Sequence, residues 1–167
     1  MQIIHIVEGP VGAGKTTYAI ELGRKVGTPP LVLDKWMVNM FLADRPEDEF
    51  WDWYAERKAR CIHQIIELAR GLVDSENDAI VELGLIKVED RLKLYADLEA
   101  EDQTYIVHVL EAPRAERKLR VAKRNAEQGE TFAMHVSEEI FEIASDMWEP
   151  INEAEQRGRS GRFVQAK

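Results

Sequence analysis

The chain has 167 residues, enough for one domain at ~100–200 residues per domain and for a core that buries roughly 70% of the unfolded surface. Its 45% apolar and 32% charged residues are an ordinary globular mix, which excludes a wholly disordered, collagen-like or low-complexity chain. The formal net charge of −9 repels phosphate backbones and argues against a nucleic-acid partner, while leaving room for a local basic cleft.

Met1-Gln2-Ile3-Ile4-His5 lacks the basic region and cleavage site of a signal peptide. Gln2 to Glu8 is short, β-branched-rich and ends at Gly9, which predicts a buried strand. A glycine-rich turn follows, then a helix from Thr16 to Val26 that Gly27 and Pro29-Pro30 stop. Leu31-Val32-Leu33-Asp34 reads as a second strand ending in a carboxylate, and Lys35 to Ala43 as a short helix. Pro46 is expected to open a longer helix, with Glu47, Asp48 and Glu49 at its positive end. Phe50, Tyr54, Cys61, Ile65, Leu68 and Leu72 are its apolar stripe. Cys61 is the single cysteine. It has no disulfide partner in the chain, which fits a reducing compartment.

Ala79 to Leu83 predicts the third strand, Val88 to Leu98 a helix, and Thr104 to Leu110 the fourth strand. A helix from Ala112-Pro113 runs to about Gly129, and another, capped by Ser137, to about Met147. Arg162-Phe163-Val164-Gln165 reads as a short last strand. Strands alternating with helices indicate an α/β architecture, a parallel sheet of about five strands flanked by helices in three layers. No apolar run approaches the ~20 residues of a membrane span. The expectation is a cytoplasmic protein with no membrane partner.

Gly9-Pro10-Val11-Gly12-Ala13-Gly14-Lys15-Thr16 is G-x-x-x-x-G-K-[ST], with an apolar strand before it and a helix after it. Glycines let the backbone turn and aim its N–H groups around an anion. The helix N-terminus adds partial positive charge. ATP is expected on Gly9, Pro10, Val11, Gly12, Ala13, Gly14, Lys15, Thr16 and Thr17. Lys15 would reach the β- and γ-phosphates and Thr16 would ligate Mg²⁺. The chain has no Asn-Lys-x-Asp to read guanine, so ATP is the expected donor.

Ligands of open α/β sheets bind at the carboxyl ends of the strands. Asp34 and Glu82 are therefore candidates to accept a proton from an attacking hydroxyl or to orient a metal-bound water. Alternatives are a helix cap for Asp34 and a buried ion-pair partner for Glu82. In the helix near 113–128, Arg117, Arg120 and Arg124 share one face, and Ala115, Leu119, Ala122 and Ala126 the apolar one. Arginines over a transferring phosphoryl group stabilise its charge; the alternative is a solvated face.

These motifs resemble the small AAA-type P-loop kinases related to zeta toxin and chloramphenicol phosphotransferase, over roughly Ile3 to Pro150. Beyond the P-loop, the resemblance is carried by Asp34-Lys35-Trp36-Met37, Glu56-Arg57, Arg60-Cys61, Ile80-Val81-Glu82-Leu83-Gly84, Arg91, Arg120 with Arg124-Asn125, Val136-Ser137-Glu138-Glu139 and Trp148-Glu149-Pro150. It implies Asp34 as the acid or base of the acceptor site and Arg120 and Arg124 as lid arginines facing the phosphates. Arg57, Arg60 and Arg91 become candidates for gripping an anionic acceptor. The family usually carries Asp where this chain has Glu82, a candidate to hold water on Mg²⁺.

His5, His63, His108 and His135 lack metal-ligand spacing, and packing is expected for His5 and His108. Trp36, Trp51 and Trp53 either stack on a flat substrate or pack the helices after the second strand. Two functions compete: transfer of the γ-phosphoryl of ATP to a small-molecule hydroxyl by one kinase-like domain with a basic helical lid, and a nucleotide-dependent switch whose only acceptor is water. Small size and the arginine-rich helix favour the first.

Overall fold

The computed structural model describes residues 2–166. Five strands form one parallel sheet in the order β2-β3-β1-β4-β5. They are β1 (Ile4–Glu8), β2 (Leu31–Val32), β3 (Ala79–Glu82), β4 (Tyr105–Leu110) and β5 (Arg162–Ala166). The helices are α1 (Lys15–Val26), α2 (Leu33–Phe41), α3 (Phe50–Asp74), α4 (Val88–Ala100), α5 (Arg114–Glu127), α6 (Glu138–Met147) and α7 (Glu153–Gln156). No helix is long and apolar enough to cross a membrane among the described residues.

The central strands are buried on both faces, as a parallel sheet covered by helices requires. Ile4 and Ile6 of β1 pack with Val81, Val107, Ile65 and Tyr95 on the face covered by α3 and α4. Val7, Ile80 and Leu110 pack with Ala19 on the face covered by α1. Three layers result, with β1 in the middle and the P-loop at its carboxyl end. The expected α/β architecture is therefore the observed one, including the edge strand β5.

Four local expectations change. β2 closes after two residues, so Leu33 and Asp34 open α2 and Asp34 sits in its first turn. Val32 is the residue before that helix and Asp34 makes no side-chain cap, which removes the helix-cap alternative. α3 starts at Phe50, leaving Glu47, Asp48 and Glu49 ahead of it. Leu68 falls off the buried stripe and is exposed. The fourth change is in α5, whose expected apolar face points outward. Leu119 is 72% exposed, whereas Arg117 is buried together with Val121.

Candidate nucleotide site

The loop between β1 and α1 turns back on itself through Ala13 N–H donating to the Pro10 carbonyl at 3.2 Å. Gly9 and Gly12 are required by space. A Cβ at Gly9 would lie 2.5 Å from the Leu110 carbonyl oxygen, and one at Gly12 would lie 2.7 Å from the Arg117 carbonyl oxygen. Gly12 also has φ +77°, where a side chain is strained. Gly14 precedes α1 without a side-chain cap, so the first amides of that helix are available to an anion. Lys15 Nζ donates to the Pro10 carbonyl at 3.1 Å.

Thr16 and Glu82, sixty-six positions apart in sequence, meet here: the Thr16 hydroxyl donates to Glu82 Oε1 at 3.1 Å. Glu82 Oε2 is buried with no partner in the protein. Burial pushes the Glu82 carboxyl upward, opposed by Lys15, the Thr16 hydrogen bond and Arg124. Two adjacent oxygens, one of them unpartnered, suit a hard cation such as Mg²⁺. Asp34 stands close enough for its charge to raise both Glu82 and Tyr54. The Tyr54 phenol, half-buried in α3, is pushed up to about 12, first by burial and then by Asp34. Asp34 itself is exposed.

On the other side of the loop, α5 lays its arginine face on the P-loop. Arg117 Nη1 donates to the Val11 carbonyl at 2.8 Å and to Ser145 Oγ at 3.1 Å, and its Nε to the Ala112 carbonyl at 3.1 Å. Arg120 Nη1 donates to the Ala13 carbonyl at 3.2 Å, while its Nη2 pairs with Glu116. Arg124 Nε is buried without a partner, and the charge of Arg124 is felt at Glu82. The shared face of Arg117, Arg120 and Arg124 is thus a docked face, and the solvated one is the alanine and leucine side. α6 braces α5 from outside through Arg114 to Glu142 and Asp146, and Lys118 to Glu138 and Glu142.

The three arginines proposed for an anionic acceptor separate. Arg91 is 0% exposed, and its guanidinium grips Glu155 with Nε to Oε1 at 2.7 Å and Nη2 to Oε2 at 2.8 Å. It also donates to the Leu85 and Glu149 carbonyls. Burial opposes its charge, but Glu155 overrides this and raises its pKa. Such a side chain holds the fold and is closed to an acceptor. Arg60 is exposed and tied to Glu56 one turn away. Arg57 is half-buried, donates to the Trp53 carbonyl, and lies over the Trp53 and Phe41 rings. Trp36 packs against the core, Trp53 lies under Arg57, and Trp51 is exposed. Cys61 is a buried free thiol whose pKa burial pushes up.

Two features of the interior have no counterpart in the sequence reading. His5 and His108 do more than pack: His5 Nδ1 and His108 Nε2 lie 2.9 Å apart, and His108 Nδ1 lies 2.8 Å from the Tyr18 hydroxyl. Glu8, the last residue of β1, is fully buried with neither carboxylate oxygen partnered. The available signal was an acid closing an otherwise apolar strand directly before the P-loop.

With this geometry the fold is that of the P-loop kinases. The chain belongs to the AAA domain family (AAA_33), whose model matches residues 4–147. Among solved structures it is similar to a candidate kinase of Chloroflexus aurantiacus, at 20% identity and TM-score 0.71 over 98% of this chain and 85% of that one. It also resembles a sugar kinase of Janibacter sp. HTCC2649, at 17% identity and TM-score 0.61 over 99% and 86%. A chain of the PezAT toxin–antitoxin system of Streptococcus pneumoniae superposes at 13% identity and TM-score 0.53 over 77% of this chain and 55% of that one. No curated protein matches the sequence significantly.

Proposed function

We propose that this protein is an ATP-dependent phosphotransferase that moves the γ-phosphoryl group to a hydroxyl of a small molecule. The observation that carries this reading is the convergence at one sheet edge of the P-loop, the Thr16–Glu82 pair, Asp34 and the arginine face of α5. A sugar kinase among the similar structures supports the same reaction type. The chain works as one kinase-like unit in the cytoplasm, with α5 as the basic cover of the nucleotide.

In this reading the loop amides and Lys15 hold the phosphates. Thr16 and Glu82 would hold Mg²⁺, which when bound neutralises charge on the phosphate oxygens. Arg120 and Arg124 face the transferring group, where donors fixed in advance stabilise developing charge. Asp34 accepts the proton of the acceptor hydroxyl as its oxygen attacks phosphorus and the bond to ADP breaks. Arg57, which lies over the Trp53 and Phe41 rings, and the exposed Arg60 one turn on are the candidates for orienting the acceptor.

The test is ADP release screened across sugars, amino sugars, nucleosides and nucleotide sugars, followed by Asp34→Asn with the best acceptor. The variant is expected to bind Mg·ATP as the wild type does and to lose transfer by ~10²–10⁴, the usual worth of a general base. Loss of ATP binding itself would assign Asp34 to the metal. Unchanged transfer would remove it from the chemistry.

A further inference from the structure

We infer that nucleotide binding at the P-loop is coupled to uptake of one proton by Glu8, the buried carboxyl that closes β1. The inference rests on the nucleotide reading above and adds a proton to it.

Glu8 immediately precedes Gly9, and its alternation along β1 puts it on the face of Ile4 and Ile6, away from Val7. Glu82 hydrogen-bonds to Thr16 of α1, on the other face of the sheet. Glu8 is 0% exposed and both of its oxygens lack any protein partner. An ionised carboxylate so enclosed is costly unless a charge answers it.

The charges that face it come from four elements. Lys15 of α1 and Arg91 of α4 favour ionisation, while Glu155 of α7 and Glu82 of β3 oppose it. The Tyr95 phenol of α4 feels Glu8 as well. Arg91 is already fixed by Glu155 and two carbonyls, through all three of its nitrogens. Lys15 is therefore the one cation of this set whose environment a ligand changes. In the free protein its ammonium hangs on the Pro10 carbonyl, two residues from Glu8. A bound nucleotide draws that ammonium onto its phosphates and adds their negative charge to the loop. Both changes disfavour the carboxylate, so its oxygen takes a proton from solvent and becomes a neutral carboxyl. Burial, partly offset by Lys15 and Arg91, already pushes Glu8 up to about 8 in the free protein. It is then about half ionised at pH 8, where the coupling is largest.

The experiment is titration calorimetry of the full chain with ADP at pH 8 and with EDTA present, in buffers of low and high ionisation enthalpy. We expect uptake of roughly half a proton per ADP, and an affinity that weakens about threefold per pH unit near pH 8. Glu8→Gln should bind ADP with uptake near zero and a flat pH dependence. Glu8→Leu serves as a second carboxylate-free chain. Saturable ADP binding without uptake, or the same uptake in Glu8→Gln or Glu8→Leu, would overturn the coupling and leave the nucleotide site standing. Absence of ADP binding to the wild type would overturn both.

Discussion

Replacing Glu155 by Gln tests whether Arg91 is a structural cation or a substrate ligand. Both side chains are wholly enclosed, and the pair is bidentate at 2.7 and 2.8 Å. Removing one partner strands a buried charge, which costs about 3–5 kcal/mol. For a chain of this size each kcal/mol lowers the midpoint by roughly 2–4 °C, so Glu155→Gln should melt roughly 6–20 °C below the wild type. Arg91→Met should fall in the same range, because it leaves the Glu155 carboxylate alone in the core. The double replacement Arg91→Met with Glu155→Leu should recover most of the loss, since apolar groups of similar volume replace such pairs at little cost. Thermal melts supply the cycle, and acceptor KM is measured on each folded variant. An Arg91→Met chain that melts within about 2 °C of the wild type and loses only acceptor KM would refute the argument and restore Arg91 to the acceptor site.

Gly12→Ala should both destabilise and inactivate, because its methyl would meet the Arg117 backbone 2.7 Å away and Val121 at 3.0 Å; a steady-state assay with a melt shows both. Arg124→Ala should lower kcat by ~10²–10³, the usual loss for one preorganised donor, with nucleotide affinity changed much less; equal losses in both would make Arg124 a ground-state ligand. For the His5–His108 pair the expected effect is acid lability. Burial, then His5 and Arg162, hold His108 down to about 4 against an ordinary 6.5, so the folded state prefers the neutral ring. Stability is then complete above pH 6.5 and falls as the pH drops from 6.5 towards 4, by ~3 kcal/mol at the low end for this ring. Urea unfolding across that window should show a shallower loss in His108→Gln, and an identical slope would refute the assignment.

How far the sequence discloses this molecule depends on the range of the interaction. The P-loop is legible because its glycines answer local demands of the backbone, and β1, β3 and β4 because each is a short run of β-branched residues. The second strand misleads: at the sheet edge it pairs with β3 through Leu31 and Val32 only, so the chain turns helical before Asp34. In α5 the helical wheel is right and its orientation wrong. Apolar residues usually face inward, but here the P-loop presents carbonyl oxygens, and the guanidinium groups of Arg117 and Arg120 answer them. Arg91 reads as a free cation because its partner lies sixty-four positions away, in a short helix with no clear pattern of its own.

The central place of β1 also sets a schedule for the nascent chain. Ile4 pairs with Ala79 on one side and with Tyr105 on the other. The strand that carries the P-loop is made before both of its partners, and it finds neither until Ala79 and then Leu110 have left the ribosome. At about 5–20 residues per second that wait is on the order of 5–20 s. Throughout it, Ile3-Ile4-His5-Ile6-Val7 is an apolar segment with free backbone edges, the kind that invites pairing between chains. Until β3 and β4 follow, β1 is thus open to pairing between chains, and Glu8, charged until it is buried, is the acidic residue at the end of that segment that works against it.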